Sequence, residues 1–294
     1  VVVKKILCVS HVFPREVDDF DHLVTQLKIG STFLQNQVQF DFDIILNLNP
    51  SIIDWGTSQL PKEFFVDKMR ASISKLDWCN VNFKIVEDSS IFGLLEQRTT
   101  LTKTFPDYFG YLILDNDIII DDFALYILEN AVNTIEDTTE YVLTPQPYCY
   151  WDSSWDIISY EKFVNGFDVN EFNAYQIKGM GNSGDVQLAE VPSFKFAGGW
   201  FTFITKDLLS KVPFPDVRGY GMEDTYISMF FNKMKSNGEN VRQYVMKNVL
   251  VQENRKYLMN SVYTKFVNYN IEYLKSINEN SKQMFWNEIQ KLNM

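Results

Sequence analysis

Gly110-Tyr111-Leu112-Ile113-Leu114-Asp115-Asn116-Asp117 is an apolar run that ends on two carboxylates two residues apart. An unbroken apolar run of this length suits a strand buried on both faces, as in a parallel sheet covered by helices. The acids then stand where the strand leaves the sheet. Carboxylate oxygens are hard donors suited to Mn2+ or Mg2+, which complete their shells with phosphate oxygens and water. A polar turn after a buried strand has the same look, and Asp121-Asp122 shows that the neighbourhood is acidic in general. The motif therefore needs its surroundings.

Upstream, short apolar runs alternate with helical stretches. Lys5–Ser10, Phe42–Leu48 and Val81–Val86 read as strands, with Tyr111–Leu114 as the fourth. Between them Asp18–Gln35 and Ile91–Phe105 read as helices, and Asp122–Val132 follows the motif as another. Strand and helix in alternation predict an α/β chain with right-handed βαβ units and a Rossmann-type, mostly parallel sheet flanked by helices. Ligands of such sheets bind beyond the carboxyl ends of the strands. Residues 144–184 carry no sustained period but many aromatics, including Tyr148, Tyr150, Trp151 and Trp155. From about Ser261 onward the chain reads as helical, with Phe266, Tyr269, Ile271, Tyr273 and Leu274 as an apolar stripe.

Two further patterns follow the motif. Phe196-Ala197-Gly198-Gly199-Trp200-Phe201 sets paired glycines before an aromatic, which lets backbone approach a ligand closely. Gly219-Tyr220-Gly221-Met222-Glu223-Asp224 places two acids after a turn, at the start of a helix expected near Thr225. A glycine turn with a helix-capping acid is the plainer reading of the latter.

In this order the three patterns resemble the GT-A fold glycosyltransferases, in particular the large inverting family of bacterial and viral transferases that use nucleotide sugars. Arg98, 17 residues before Asp115, strengthens the resemblance, which covers roughly residues 3 to 254. It implies a GT-A-like catalytic domain over 1–254, with a nucleotide-binding half (1–120) and an acceptor half (121–254), followed by a C-terminal helical extension over 255–294. It implies a metal-dependent transfer from a nucleotide-diphosphate sugar, a UDP-sugar in the first instance, to an acceptor hydroxyl. Asp117 would ligate Mn2+ or Mg2+ directly, and Asp115 would do so through water or hold the ribose. Asp224 would be the general base, with Glu223 as the alternative. Arg98, Asn116, Gly198, Gly199 and Trp200 would surround the donor.

The chain departs from that family in places. Its first turn is Phe13-Pro14-Arg15-Glu16, and its second strand ends on Asn47 and Asn49 where the family places acids for the nucleobase. Glu87 or Asp88 could serve the base instead. No late histidine is present to complete the metal shell; Glu253 or Gln252 offers an oxygen in its place. His11 stands at the end of the first strand, near the expected nucleotide, and joins the candidate donor contacts with Pro14 and Asn49.

Composition sets the outer limits. The 294 residues are 46% hydrophobic, ample for a core. Cys8, Cys79 and Cys149 form no disulfide framework, and Lys4-Lys5 interrupts the first apolar run, so a reducing, cytoplasmic setting without an export signal is expected. No stretch of about 18 apolar residues is present to span a bilayer. The formal charge of −11 argues against general nucleic-acid binding. Residues 226–294, however, hold 10 Lys and Arg against 5 Asp and Glu. Lys247, Arg255, Lys256, Lys265 and Lys275 could meet phosphates of DNA or an anionic surface, so the acceptor could be a saccharide, a glycoconjugate or a hydroxymethylated DNA base.

Two other classes share parts of the pattern. Haloacid-dehalogenase-like phosphatases also carry Asp-x-Asp after an apolar strand, but Ile119 stands where they place Thr or Val, and Glu223-Asp224 would have no role. A non-catalytic sugar-binding module could use the aromatics of 144–155 but needs neither acidic pair. Replacement Asp117→Asn separates these classes: metal-dependent turnover of a nucleotide sugar is expected to be abolished, whereas full activity would remove the central residue of the transferase reading.

Overall fold

The central strand is β1 (Lys4–Val12), whose residues from Ile6 onward are all buried. It lies between β2 (Val38–Asn47) and β5 (Gly110–Leu114) and runs parallel to both. In this computed structural model residues 3–57, 59–88, 93–148, 186–194, 199–219, 221–253 and 267–292 are described. β4 (Asn80–Val86) adds a parallel edge strand on β2. The crossovers are α1 (Val17–Ser31), α2 (Lys62–Ile73) and α3 (Leu94–Thr104), with a two-residue strand β3 (Ile53–Asp54) before α2. β1, β2 and β5 are buried on both faces because helices cover them, whereas β4 at the edge has no buried residue.

Beyond β5 the sheet becomes mixed. Its order is β4-β2-β1-β5-β9-β7-β10-β6. Here β6 is Ile118–Ile120, β7 Glu140–Tyr148, β9 Trp200–Thr205 and β10 Val241–Glu253, while β8 (Leu188–Val191) also pairs with β10. β9 is antiparallel to β5 and β7, β10 is parallel to β7, and β6 is antiparallel to β10. The expected α/β class with a GT-A-like, Rossmann-type sheet and a C-terminal helix is found, with parallel pairing throughout its first half.

The remaining helices are α4 (Ala124–Thr134), α5 (Lys206–Ser210), α6 (Glu223–Ser236) and α7 (Ile271–Leu292). Of the helix expected from Ser261 onward, residues 261–266 lie outside the described residues, 268–269 form a short strand β11 (Asn268–Tyr269) that pairs with β3, and the described helix runs from Ile271. Phe285 and Ile289 of α7 are buried with Tyr226 and Phe231 of α6. Burial of such side chains is worth about 1.5–3 kcal/mol each, which binds α7 to the core. The aromatic stretch around Trp151 and Trp155 lies outside the described residues. Among the described residues no helix is long and apolar enough to cross a membrane, and the thiols of Cys8 and Cys79 are free.

One buried acid closes the first crossover. Glu129 of α4 is fully buried, and its Oε1 accepts hydrogen bonds from the amides of Gln37 (2.7 Å) and Val38 (3.1 Å). Its Oε2 accepts one from the Gln35 amide at 2.7 Å. These three donors flank Asn36, whose φ of 60° is left-handed, so the carboxylate fixes the turn that enters β2. The Glu129→Gln change points an amide donor at a backbone donor. It is expected to cost about 2 kcal/mol, seen as a lower urea midpoint at unchanged slope.

Candidate functional site

All four parallel strands end at one edge of the sheet, and the candidate residues gather there. β5 delivers Asp115 at its carboxyl end. The antiparallel neighbour β9 begins at the same edge, with Trp200 opposite Leu114, so Gly199 lies beside Asp115 and its carbonyl accepts the Asp115 amide at 2.8 Å. Arg98, from α3, joins the elements. Its Nη2 donates to Asp115 Oδ1 at 2.6 Å and its Nη1 to Glu223 Oε1 at 2.7 Å. The Arg98 side chain is 12% exposed, and the two carboxylates hold the guanidinium firmly protonated against the cost of burial.

Glu223 opens α6 and is 8% exposed. Its second oxygen accepts the Gly221 amide at 3.1 Å, so both of its oxygens are engaged. Asp224 follows, half-buried, with Oδ1 accepting the Thr225 amide at 2.6 Å. Burial, then the neighbouring charge of Glu223, raises the Asp224 carboxyl to about 6, against the opposing pull of the Thr225 amide and Arg98. Arg98, Gly199, Glu223 and Asp224 line one small pocket, closed on its apolar side by Ile113 and Phe214. Five residues singled out from sequence, Arg98, Asp115, Gly199, Glu223 and Asp224, therefore come together.

A second cluster supports the turn after β5. Asn116 is 5% exposed, and its amide nitrogen donates to the His11 carbonyl at 2.5 Å and to Glu16 Oε2 at 3.1 Å. Its side-chain oxygen accepts from Ser10 Oγ at 2.5 Å. Asn116 thus faces inward and ties the Asp115–Asp117 turn to the end of β1. Glu16 Oε2 also accepts the Phe13 amide at 3.1 Å, which closes the Pro14–Glu16 turn with buried Pro14 as its first residue. Ser10 and Glu16 were not singled out from sequence. An acid three residues after Phe13, the spacing that reaches back to cap a helical turn, was the available signal.

The other candidates are more dispersed. His11 is 5% exposed, with Nε2 at 3.2 Å from Asn47 Nδ2. Burial, with Arg98 second, lowers its pKa to about 3, so it is neutral at physiological pH. Asn49 is buried, and its side chain caps the loop after β2 by accepting the Ser51 amide at 2.8 Å. Glu87 and Asp88 are exposed, and Glu87 pairs with Lys62 at 3.0 Å. Trp200 is 5% exposed within the sheet. Gly198 lies outside the described residues, as do Arg255, Lys256 and Lys265 of the expected basic patch. Lys275 pairs with Glu272 on the exposed side of α7 at 3.7 Å.

The donors for a divalent cation are carboxylates, a hard set that fits Mn2+ or Mg2+. Asp115 and half-buried Asp117 flank Asn116 on the turn between β5 and β6. Glu253 ends β10 with its backbone opposite Ile118, the residue after Asp117. Among the described residues no group of three His, Cys, Asp or Glu converges as a metal cluster.

No family model matches the chain, and no curated protein matches it. Among solved structures it is similar to the inositol-1-phosphate CTP transferase from T. maritima, at 11% identity and a TM-score of 0.44, covering 94% of this chain and 96% of that one. It is also similar to the mannosyltransferase PcManGT from Pyrobaculum calidifontis in complex with GDP-Man and Mn2+, at 13% identity and a TM-score of 0.45, covering 85% of this chain and 56% of that one. A third is a UDP-glucose pyrophosphorylase complexed with UDP-glucose, at 11% identity and a TM-score of 0.45, covering 90% of this chain and all of that one. The structural neighbours thus include both sugar transferases and nucleotidyltransferases. At these scores the likeness is one of outline and assigns no residue.

Gly199 is the tightest point of the site. A Cβ there would overlap the Asp115 carboxylate and come within 2.8 Å of Arg98 Nη2. The Gly199→Ala change must push the ion pair apart. It is expected to cost about 1–3 kcal/mol in thermal unfolding and to weaken protection by any ligand of this pocket.

Proposed function

We propose that the chain is a metal-dependent glycosyltransferase that moves a sugar from a nucleotide-diphosphate donor, a UDP-sugar in the first instance, to an acceptor hydroxyl with inversion. The observation that carries this reading is that Asp224 lines one pocket with Arg98, Gly199 and Glu223, where burial raises its carboxyl to about 6. A base with a pKa near neutrality is largely ionised at working pH yet basic enough to take a proton from an attacking hydroxyl. Glu223 is less suited, since Arg98 and the Gly221 amide engage its two oxygens.

The other residues take roles that follow from their places. Arg98 holds Asp115 and Glu223 at fixed positions through its two ion pairs. Gly199 leaves backbone, with no side chain, against the donor sugar. Asn116 fixes the turn that presents Asp115 and Asp117. A divalent cation held by Asp115 and Asp117, with Glu253 as the third donor, would supply Lewis-acid stabilisation of the leaving diphosphate. Asp224 would draw the acceptor proton as the hydroxyl attacks the anomeric carbon from the face opposite the leaving diphosphate. The acceptor hydroxyl belongs to a saccharide or glycoconjugate, or to a hydroxymethylated DNA base if the basic C-terminal residues meet phosphate.

A panel of nucleotide sugars with Mn2+ tests the reading, scored first by thermal stabilisation and then by product. Release of a nucleoside diphosphate with a glycoside of inverted anomeric configuration is the expected result. Release of a sugar 1-phosphate, with a nucleoside monophosphate when water is the acceptor or a nucleoside triphosphate when pyrophosphate is added, would instead mark nucleotidyl transfer and overturn it. The rate should fall as pH drops through about 6, because protonated Asp224 cannot accept a proton; a bound cation would move that limb lower. Asp224→Asn is expected to reduce kcat by about 10²–10⁴-fold and to leave donor-induced stabilisation in place.

A further inference from the structure

The loop that carries Glu223 and Asp224 is conformationally expensive. Gly219 (φ 103°), Gly221 (φ 105°) and Met222 (φ 68°) are all left-handed, and a left-handed Met persists only where its surroundings over-determine it. α7 lies against the two glycines and Arg218. Ser281, 1% exposed, shares its one hydroxyl proton between the Arg218 carbonyl and the Ile277 carbonyl of its own helix, the latter at 3.0 Å. Gly219 lies so close to α7 that a Cβ would come within 2.8 Å of Ser281 Oγ and 3.3 Å of the Ile277 carbonyl. The Lys282 side chain covers Gly221, 3.6 Å from where a Cβ would stand. Beneath, Phe285 packs on Tyr226 of α6 with ring centroids 5.5 Å apart.

The same C-terminal segment reaches the opposite side of the site. β11 pairs with β3, and the Asn270 amide donates to the Ile52 carbonyl at 2.7 Å. This places Tyr269 Oη to accept the Arg15 amide at 3.0 Å, with the Arg15 guanidinium 5.8 Å from the ring. Arg15 is the middle residue of the Pro14–Glu16 turn, and Glu16 in turn holds Asn116 between Asp115 and Asp117.

We propose that Val267–Leu292 is a brace for the site, in which Ser281 positions the loop bearing Glu223 and Asp224, and Tyr269 positions the turn that supports Asp115–Asp117. Neither residue touches the reacting atoms; both act through hydrogen bonds to backbone. The proposal rests on the transferase reading for its kinetic consequences but not for its structural ones. It gives the segment from Val267 onward a part in the chemistry rather than the place of an appended helix.

Two single variants of the full chain test it, each with kinetics, thermal midpoint and amide hydrogen exchange. Ser281→Ala is expected to speed exchange at residues 219–225 and to lower kcat about tenfold at unchanged donor KM, since small misplacements of a catalytic group are costly. Tyr269→Phe is expected to speed exchange at residues 13–17 and to raise the KM for donor or Mn2+ several-fold at nearly unchanged kcat. Exchange and kinetics at wild-type values in both variants, or losses that follow the thermal midpoint alone, would overturn the brace. If the wild-type chain turned over no nucleotide sugar while the variants still released local exchange, the brace would stand and the transferase reading would fall.

Discussion

Arg98 is the interaction on which the site depends. An arginine whose side chain is 12% exposed has lost much of its hydration, and it is tolerable there only because two carboxylates meet two of its nitrogens at 2.6 and 2.7 Å. Removing one partner from such a buried arrangement typically costs about 3–5 kcal/mol, because a charge is left uncompensated. The three residues come from α3, the end of β5 and the start of α6, so one cation fixes the relative positions of three elements. The glycine at position 199 follows from that pair, which fills the space a side chain would take. The raised carboxyl of Asp224 has another origin: burial first, then the neighbouring charge of Glu223, with Arg98 pulling the other way.

The first half of the fold was legible because its strands are buried on both faces. Runs such as Leu112-Ile113-Leu114 and Ile44-Ile45-Leu46 are apolar without interruption, and the structure puts strands where those runs stand. The second half was only partly legible: the helix expected near Thr225 is α6, whereas only the end of β10 reads as a strand. The apolar runs of β10 are broken by Arg242, Gln243, Lys247 and Asn248, and Gln243 is fully buried, at 3.4 Å from Thr144 Oγ1. A strand that spends its interior on hydrogen bonds leaves no apolar period to read. α2 escaped notice for a related reason. Only Phe65, Met69 and Ser72 of its twelve residues are buried, so its apolar stripe is too thin to stand out.

The site was legible where chemistry and sequence order coincide, and less so where a residue's partner is distant in the chain. The acids at 115, 223 and 224 and the arginine at 98 were found because each lies in a short motif. Asn116 lies in the same motif, yet its partners are Ser10, the His11 carbonyl and Glu16, about a hundred residues away. Those contacts make it a buried tie inside the protein, a role that a motif cannot reveal. His11 shows the converse: a histidine at a strand end suggests a proton carrier, but burial and the Arg98 charge keep it neutral, which fits it for hydrogen bonding rather than for acid–base work.

Charge balance connects these observations to the ligand. Asp115, Glu223 and Asp224 gather around one guanidinium, and Asp117 stands on the same turn as Asp115. Even with Asp224 partly protonated near pH 6, the carboxylates outnumber the cation. A nucleoside diphosphate adds further negative charge, and in a partly desolvated pocket each such pair repels more strongly than it would in water. Under the transferase reading, the diphosphate therefore needs a divalent cation to enter, and the cation gains oxygen donors from the diphosphate when it binds. Donor and metal affinities become reciprocally coupled, since each lowers the cost of the other. The net charge of −11 is then less an obstacle to a phosphate ligand than a requirement that the ligand arrive with its counterion.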